Sequence, residues 1–293
     1  MTFLDRINDC SAPDGEGYLP FRVADLVVGF VTAEFARALV DFPDVFAVSD
    51  AGVTLSDRLR GFDDRSAAVA GVLEILMQRG DVPGWRGEYY AVGVSFGAPA
   101  CFKMERAAVP LFGTIGYGVH LNGVVQTGAG LSMWIARRSL SKPTGPGKLD
   151  QIVAGGQPAG LSVFDNLVKE CAEEADISAD LAAGCVPTGA ISYVTERPEG
   201  LRRDVLFVYD LMLPENFVPR NTDGEVEDFA LMPIEAVIVR VRDTDDFKFN
   251  CSLVVIDFLV RHGYIEPDHP DYMDILHGLH GLDTATRILK NER

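Results

Sequence analysis

The chain has 293 residues, 47% of them hydrophobic and 24% charged, the balance of a globular protein with enough apolar content for one large core or two smaller ones. With 43 acidic against 26 basic residues, its formal charge of −17 disfavours nonspecific nucleic-acid binding and adsorption to anionic membranes. No apolar run approaches the roughly 20 residues of a membrane span. The opening MTFLDRINDCSAPDGEG is acidic and broken by Pro and Gly, unlike a signal peptide. Five scattered cysteines without a CxxC spacing fit reduced thiols in a cytosol. The five histidines form no HExxH pair, which argues against a zinc enzyme. An anionic substrate would need local cations in so acidic a chain, and a metal is the natural supplier.

In chain order, residues 17 to about 110 form a mixed segment. FRVADLVVGFVTAEFARALVDFPDVFAVS carries helix-like apolar spacing. In SAAVAGVLEILMQRG, Val69, Val72, Leu73 and Leu76 recur at helical neighbour positions. YYAVGVSF and ACFKMERAAVPLF are strand-like. From about residue 113, GYGVHLNGVVQ and GLSMWIARRS flank the turn signal TGAG and predict a hairpin. SKPTGPGKLDQIVAGGQPAG, rich in Gly and Pro, reads as a loop. A helix opened by Ser162 then runs to about residue 176. AGCVPTGAISYV, RDVLFVYDLML and DFALMPI read as strands, and CSLVVIDFLVRHG as a helix with Asn250 as N-cap. A boundary near residue 115 separates a smaller α+β N-terminal domain (1–114) from an α/β domain that ends in helices (115–293).

The helix after the glycine-rich turn, in GGQPAGLSVFDNLVKECAEEADI, is the most informative element. Ser162 is a good N-cap, and Asp165 places negative charge where the helix dipole favours it. At about 100° per residue, Phe164, Leu167, Val168, Cys171 and Ala175 share one face, and Asn166, Glu170, Glu173 and Glu174 the other. Three carboxylates at neighbour spacing repel one another unless solvent screens them or a cation sits among them. Carboxylate oxygens suit Mg²⁺, which bridges such sites to substrate phosphates. A solvated acidic face, with Lys169 pairing to Glu173, is the plainer alternative.

This stretch resembles the Nudix box, whose pattern is Gly, five residues, Glu, seven residues, Arg-Glu-apolar-any-Glu-Glu-any-Gly-apolar. Gly155 takes the first place, and Glu170, Cys171, Glu173, Glu174 and Ile177 the later ones. Leu161, Lys169 and Asp176 depart from the pattern, standing where the family has Glu, Arg and Gly. The early Glu braces the Arg in the family; here the Glu is gone and the Arg has become the more easily solvated Lys169, a coherent pair of changes that leaves the metal set intact. The resemblance implies an α/β/α sandwich with a mixed sheet, and hydrolysis of a diphosphate linked to a further moiety. It implies Mg²⁺, with Mn²⁺ as the alternative, on Glu170, Glu173 and Glu174, and close backbone approach at Gly155 and Gly156.

The flanks are similar to a narrower branch, the Nudix domain fused in some chains to thiamin pyrophosphokinase, and its stand-alone relatives. MWIARRSLSKPTGPGKLDQIVAGG, GVHLNG (118–123), WRGEYYAV, DGEVEDFALMP and FKFNCSLVVIDFLVRHG carry that likeness. It implies conversion of oxidised, damaged thiamin diphosphates to monophosphates. Arg137, Arg138 and Lys142 belong to the most concentrated basic stretch, which also holds Lys148, and are candidates for phosphate. Strand alternation allows at most one of the two arginines into a cleft. Glu225 and Glu227 stand where many Nudix enzymes have a further metal ligand or general base, with Glu225 the better match. Trp85 and Arg86, beside Glu88, are candidates for stacking on and orienting a heteroaromatic ring, although a core role for the Trp is the plainer reading. Asn122 is a candidate polar contact. Cys171 and Cys251 read as small core residues, and His277 and His280 have no third ligand nearby.

Other readings are a Nudix hydrolase of ADP-sugars or other nucleoside diphosphates, an isopentenyl diphosphate isomerase-like enzyme, and a non-catalytic ligand-sensing module. The full glutamate set argues against the last, and no isomerase-type cysteine motif is present. The expected partner is a small diphosphate, with no nucleic acid and no membrane. A homodimer is compatible with the family.

Overall fold

A computed structural model describes residues 1–11 and 17–281. Helix α1 (Phe3–Asn8) is followed by strands β1 (Tyr18–Val23) and β2 (Leu26–Thr32), helix α2 (Ala33–Leu39), strands β3 (Phe46–Ser49) and β4 (Gly52–Leu55), helix α3 (Phe62–Arg79) and a hairpin of β5 (Tyr89–Val92) and β6 (Phe102–Glu105). The first four strands form one sheet in the order β2-β1-β4-β3. Its core centres on Phe112, whose ring lies 5.0 Å from Phe21 and 5.1 Å edge-on from Phe35. The helix-like spacing of FRVADLVVGFV is corrected here to a β hairpin. The β-branched, aromatic-rich run pairs across a tight turn at Ala24, a non-glycine residue at φ +50°, and such residues prefer a pleated sheet. Only α2 in that stretch is helical.

The second part begins with β7 (Ile115–Thr127) and β8 (Gly130–Arg138), the predicted hairpin, followed by β9 (Leu149–Gln151), β10 (Val153–Gly156), α4 (Val163–Ala175) and α5 (Ala179–Ala182). Strands β11 (Val186–Arg197), β12 (Gly200–Met212) and β13 (Val226–Pro233) come next, and then helices α6 (Ile234–Asp243), α7 (Phe249–Arg261) and α8 (Tyr272–His280). The sheet runs β11-β12-β7-β8-β13, with β10 paired to β7 and β9 to β8. It is mixed, because β12 pairs with β7 in parallel while its other ladders are antiparallel. Helices α4 and α5 cover one face through Leu167, Cys171 and Ala175; α1, α6, α7 and α8 cover the other. The expected α/β/α sandwich is therefore present. Helix α1, though N-terminal, packs its Phe3 and Ile7 into the core under α7 and α8.

Two short strands lie within the stretch predicted to be loop. β9 and β10 have three and four residues, too short for an alternation to show. Asn250 is likewise not an N-cap. The helix begins at Phe249, and Asn250 is buried in its first turn.

A buried polar knot ties α7 to the sheet. Asp150 accepts from Arg138 Nη1 at 2.6 Å, from Cys251 Sγ at 2.7 Å and from the Gln151 amide at 2.9 Å. Burial raises the Asp150 pKa, but Lys248, Arg138 and these donors outweigh it and hold the carboxyl at about 2. Its contribution to stability is thus present above the unfolded value of about 3.9 and is lost as pH falls toward 2. Replacing Arg138 by Leu should destabilise the fold by about 3 kcal/mol and move acid unfolding to higher pH. Urea titrations at neutral and acid pH check this, and unchanged midpoints would remove Arg138 from the structural account.

Candidate active site

Helix α4 is opened by Ser162, whose Oγ accepts from the Asp165 amide at 3.0 Å. Its carboxylates do not share a solvated face. Glu170 and Glu174, one turn apart, are 8% and 5% exposed, while Glu173 is half-buried and accepts from Lys169 at 2.7 Å. Lys169 reaches Glu170 at 3.2 Å as well. Phe164, expected on the buried face, is 40% exposed. Buried Asn166 donates to the Gly156 carbonyl at 2.8 Å, and the Ala154 amide donates to Glu174 at 2.7 Å, so α4 is stitched to β10.

The glycine pair at the end of β10 is what permits this. A Cβ on Gly155 would overlap the Glu170 carboxyl, with Oε2 at 2.6 Å. A Cβ on Gly156 would run into the Tyr90 hydroxyl and come within 3.1 Å of Arg106 Cζ. One glycine admits the Nudix-type helix, and the other admits the N-terminal hairpin.

Burial, the main cause, raises the Glu170 pKa; Lys169 opposes it, and Glu173 and Glu88 add to it. Glu174 is pushed well above its ordinary value by burial and by Glu170 and Asp150, against the Ala154 amide and Lys142. Two buried acids, each with its pKa pushed up, suit a divalent cation, which would replace their protons with charge. These oxygen donors fit the metal that the family uses. A second grouping, His120, Asp150 and Cys251, has donor atoms within 4.8 Å of one another. There Asp150 is already saturated by Arg138 and the Cys251 thiol.

The helix end and the last candidate acid are joined. Asp176 ends α4 in the left-handed region (φ +55°) where the family has Gly, a cost of roughly 1 kcal/mol. Arg220 Nε donates to Asp176 at 2.8 Å, the Arg220 amide donates to the Ala175 carbonyl at 3.2 Å, and Thr222 Oγ1 donates to the Glu173 carbonyl at 2.6 Å. Residues 220–225 are thereby pinned to the helix, and Glu225 meets Lys142 in an ion pair. Burial would raise Glu225, but the Lys142 bond and charge, with Arg106 and Arg86, hold it below the usual carboxylate range.

Beside β10 opens a cavity of about 290 Å³, lined among others by Arg86, Tyr90, Arg106, Gly155, Gly156 and His120. It lies between the N-terminal hairpin and the sheet face that carries α7. Lys248 and Asn250 line it near His120, and Arg202 lines it elsewhere, bonded to Glu199 at 2.8 Å and to Asp204 at 3.2 Å. Gln151 donates its amide to the Cys251 carbonyl at 2.9 Å, so its oxygen faces His120 Nδ1 at 2.7 Å. That fixes Nδ1 as the protonated nitrogen and Nε2 as an acceptor. Burial lowers the His120 pKa to about 4, which keeps the ring neutral.

Of the residues singled out from sequence, Gly155, Gly156 and Arg86 line this cavity. Glu170 and Glu174 pack against the other side of β10 with Glu173 at the solvent edge, and Glu225, paired to Lys142, feels the charges of Arg106 and Arg86. Others are placed elsewhere. Arg137 is exposed and donates to the Gly147 carbonyl, and Arg138 is committed to Asp150 and to the Thr144 carbonyl. Glu227 is exposed, opposite the register shift between β13 and β8, which turns it away. Trp85 is half-buried against the N-terminal core. Asn122 is buried beyond His120, donating to Asp210 at 3.0 Å. No local pattern marked Tyr90, Arg106, His120 or Lys248, which reach the cavity from elements far apart in the chain.

Gly155→Ala should reduce turnover by at least about 100-fold, because the added methyl displaces the Glu170 carboxylate, while the far-UV spectrum stays native. Wild-type turnover in this variant would show that the close approach is dispensable.

Residues 2–115 match a family described as a domain of unknown function (DUF4743). Two Arabidopsis thaliana proteins, named Nudix hydrolase 20, chloroplastic and Nudix hydrolase 24, chloroplastic, are each 48% identical. The first match covers 91% of this chain and 74% of the relative, the second 92% and 74%. The solved NUDIX domain of Shewanella oneidensis NrtR, complexed with ADP ribose, is 12% identical over 50% of this chain and 87% of its own, with a TM-score of 0.41. Kinship at 48% identity over nine-tenths of the sequence, together with the glutamate helix seated on its glycine strand, makes this chain a member of the Nudix hydrolase family and an enzyme.

Proposed function

We propose that the protein hydrolyses compact ring-bearing diphosphates to monophosphates, and that its substrates are oxidised, damaged forms of thiamin diphosphate. The observation that carries this is the cavity beside the glycine strand. At about 290 Å³ it lies at the small end of ligand sites, which span roughly 300–1,000 Å³, and suits one substituted heterocycle better than a nucleoside with a second sugar. Its inner end offers a ring two kinds of polar contact, the His120 Nε2 acceptor and the Asn250 amide. An aminopyrimidine has the complementary donor and acceptor edge. The likeness of the flanking segments to the thiamin-linked branch supports the same assignment.

The metal, with Mg²⁺ the first candidate, would be held by Glu170, Glu173 and Glu174; it neutralises diphosphate charge and lowers the pKa of a water bound to it. Glycines 155 and 156 let the backbone lie close to the phosphates. Glu225, ionised and held by Lys142, is the group positioned to take the proton of an attacking water. A protein of this kind would keep inactive cofactor mimics off thiamin-dependent enzymes.

Product analysis with Mg²⁺ on oxidised thiamin diphosphates, thiamin diphosphate and ADP-ribose tests the assignment, with Glu174→Gln as control. The expected result is monophosphate formed preferentially from the oxidised compounds and reduced at least about 100-fold in the variant. Preference for ADP-ribose would replace the ring assignment with the nucleoside one, and no turnover of any of them would sink it.

A further inference from the structure

Around strand β10 the field is predominantly negative, in a chain of formal charge −17: Glu88 and Glu173 add to the charge felt by Glu170, Glu170 to that felt by Glu174, and Glu225 lies within reach of Arg106 and Arg86. Most cations on the hydrolase side are already engaged, and Lys248, which lines the cavity, sets its charge against Asp150. Lys142 is paired to Glu225, Lys169 to Glu170 and Glu173, Arg138 to Asp150, and Arg202 to Glu199 and Asp204. The N-terminal domain supplies what is missing. Arg106, just after β6, uses Nη1 to hold Glu88 at 2.8 Å and lies 5.6 Å over the Tyr90 ring. Its Nε and Nη2 have no protein partner among the described residues, its side chain is 40% exposed, and it lines the cavity beside Gly156. Arg86 lines the same cavity, its side chain exposed. The hairpin that carries Arg106 is fixed to the hydrolase side by the Ala159 amide, which donates to the Tyr89 carbonyl at 2.8 Å.

We propose that the N-terminal domain completes the active site by supplying the diphosphate clamp: Arg106, braced by Glu88 and Tyr90 and assisted by Arg86, grips the non-bridging phosphate oxygens above Gly156. A planar fork with one edge tied down and the other open is suited to bidentate contact with phosphate. Bracing by Glu88 means that little side-chain freedom is lost when the ligand arrives. This rests on the diphosphate-hydrolase reading of the cleft but not on which ring the substrate carries.

The test uses methylenediphosphonate, a diphosphate analogue with an uncleavable P–C–P bridge, titrated calorimetrically into the full-length protein with saturating Mg²⁺. Arg106→Met should weaken binding about 10- to 100-fold, and Arg106→Lys by less. Arg86→Met, an exposed change that leaves folding alone, should weaken it several-fold. Arg58→Met, which removes an equal charge from the far surface of the same domain, should leave it unchanged. With hydrolysable substrate, Arg106→Met should raise KM at least as strongly as it lowers kcat. Binding by both Arg106→Met and Arg86→Met within two-fold of wild type would overturn the clamp, as would an equal loss in Arg58→Met. Failure of the wild type to bind the analogue at all would overturn the diphosphate reading and the clamp with it.

Discussion

Strand β10 is squeezed from both sides, and the active site depends on that squeeze. Successive residues of a strand point to opposite faces, so Gly155 and Gly156 offer two side-chain-free surfaces back to back. Glu170 occupies the first and Tyr90 with Arg106 the second. Either glycine alone would admit only one partner. Together they let a helix from one domain and a hairpin from the other approach a single strand within contact distance. Asn166 and Glu174 then hydrogen-bond that strand's backbone and fix its height against the helix.

The electrostatic arrangement follows from the same geometry. Seating α4 this close buries Glu170 and Glu174, and burial together with neighbouring carboxylates makes their charged forms expensive. The protein offsets little of this with its own cations, because Lys169 sits at the solvent edge and Lys142 is engaged by Glu225. The acids are left in want of an external positive charge. On the opposite face the polar groups are instead mutually satisfied. Asp150, Arg138, Cys251, Gln151 and His120 form a closed network, so this second cluster of metal-type donors serves to hold α7 on the sheet. Two groups of similar composition thus take different roles according to whether their charges are already matched.

Much of the hydrolase half was legible in the sequence. The helix was, because its cap, its length and the carboxylate spacing agree; β11 to β13 were, because they are long β-branched runs between turn signals. Strands β9 and β10 were not, since four residues ending in two glycines carry neither propensity nor alternation. The first hairpin was misread because Val, Leu and Phe at close spacing satisfy a helical and a strand template alike, and pairing across Ala24 decided the matter. Phe164 and Glu173 show the limit of a helical wheel, which gives angles but not which neighbours exist. The fate of Arg138 turned on a partner, Asp150, that lies in an unrecognised strand. Arg106 and Tyr90 could not be found by local pattern at all, because their significance arises only when a separate domain docks.

The loop that follows β12 has two unequal parts. Residues 220–225 are fastened at one end to the close of α4, through Arg220, Asp176 and Thr222, and at the other to Lys142 through Glu225. Within residues 214–219, Phe217 packs against the core beneath α4 and Pro219 is buried, while Val218 between them is 68% exposed. Added length beside Val218 would bulge into solvent without shifting Glu225. The left-handed Asp176 thus works as a length insulator: by holding Arg220, it ties residues 220–225 to the end of α4, so that Glu225 and the α4 carboxylates keep their spacing whatever the length of the loop before them.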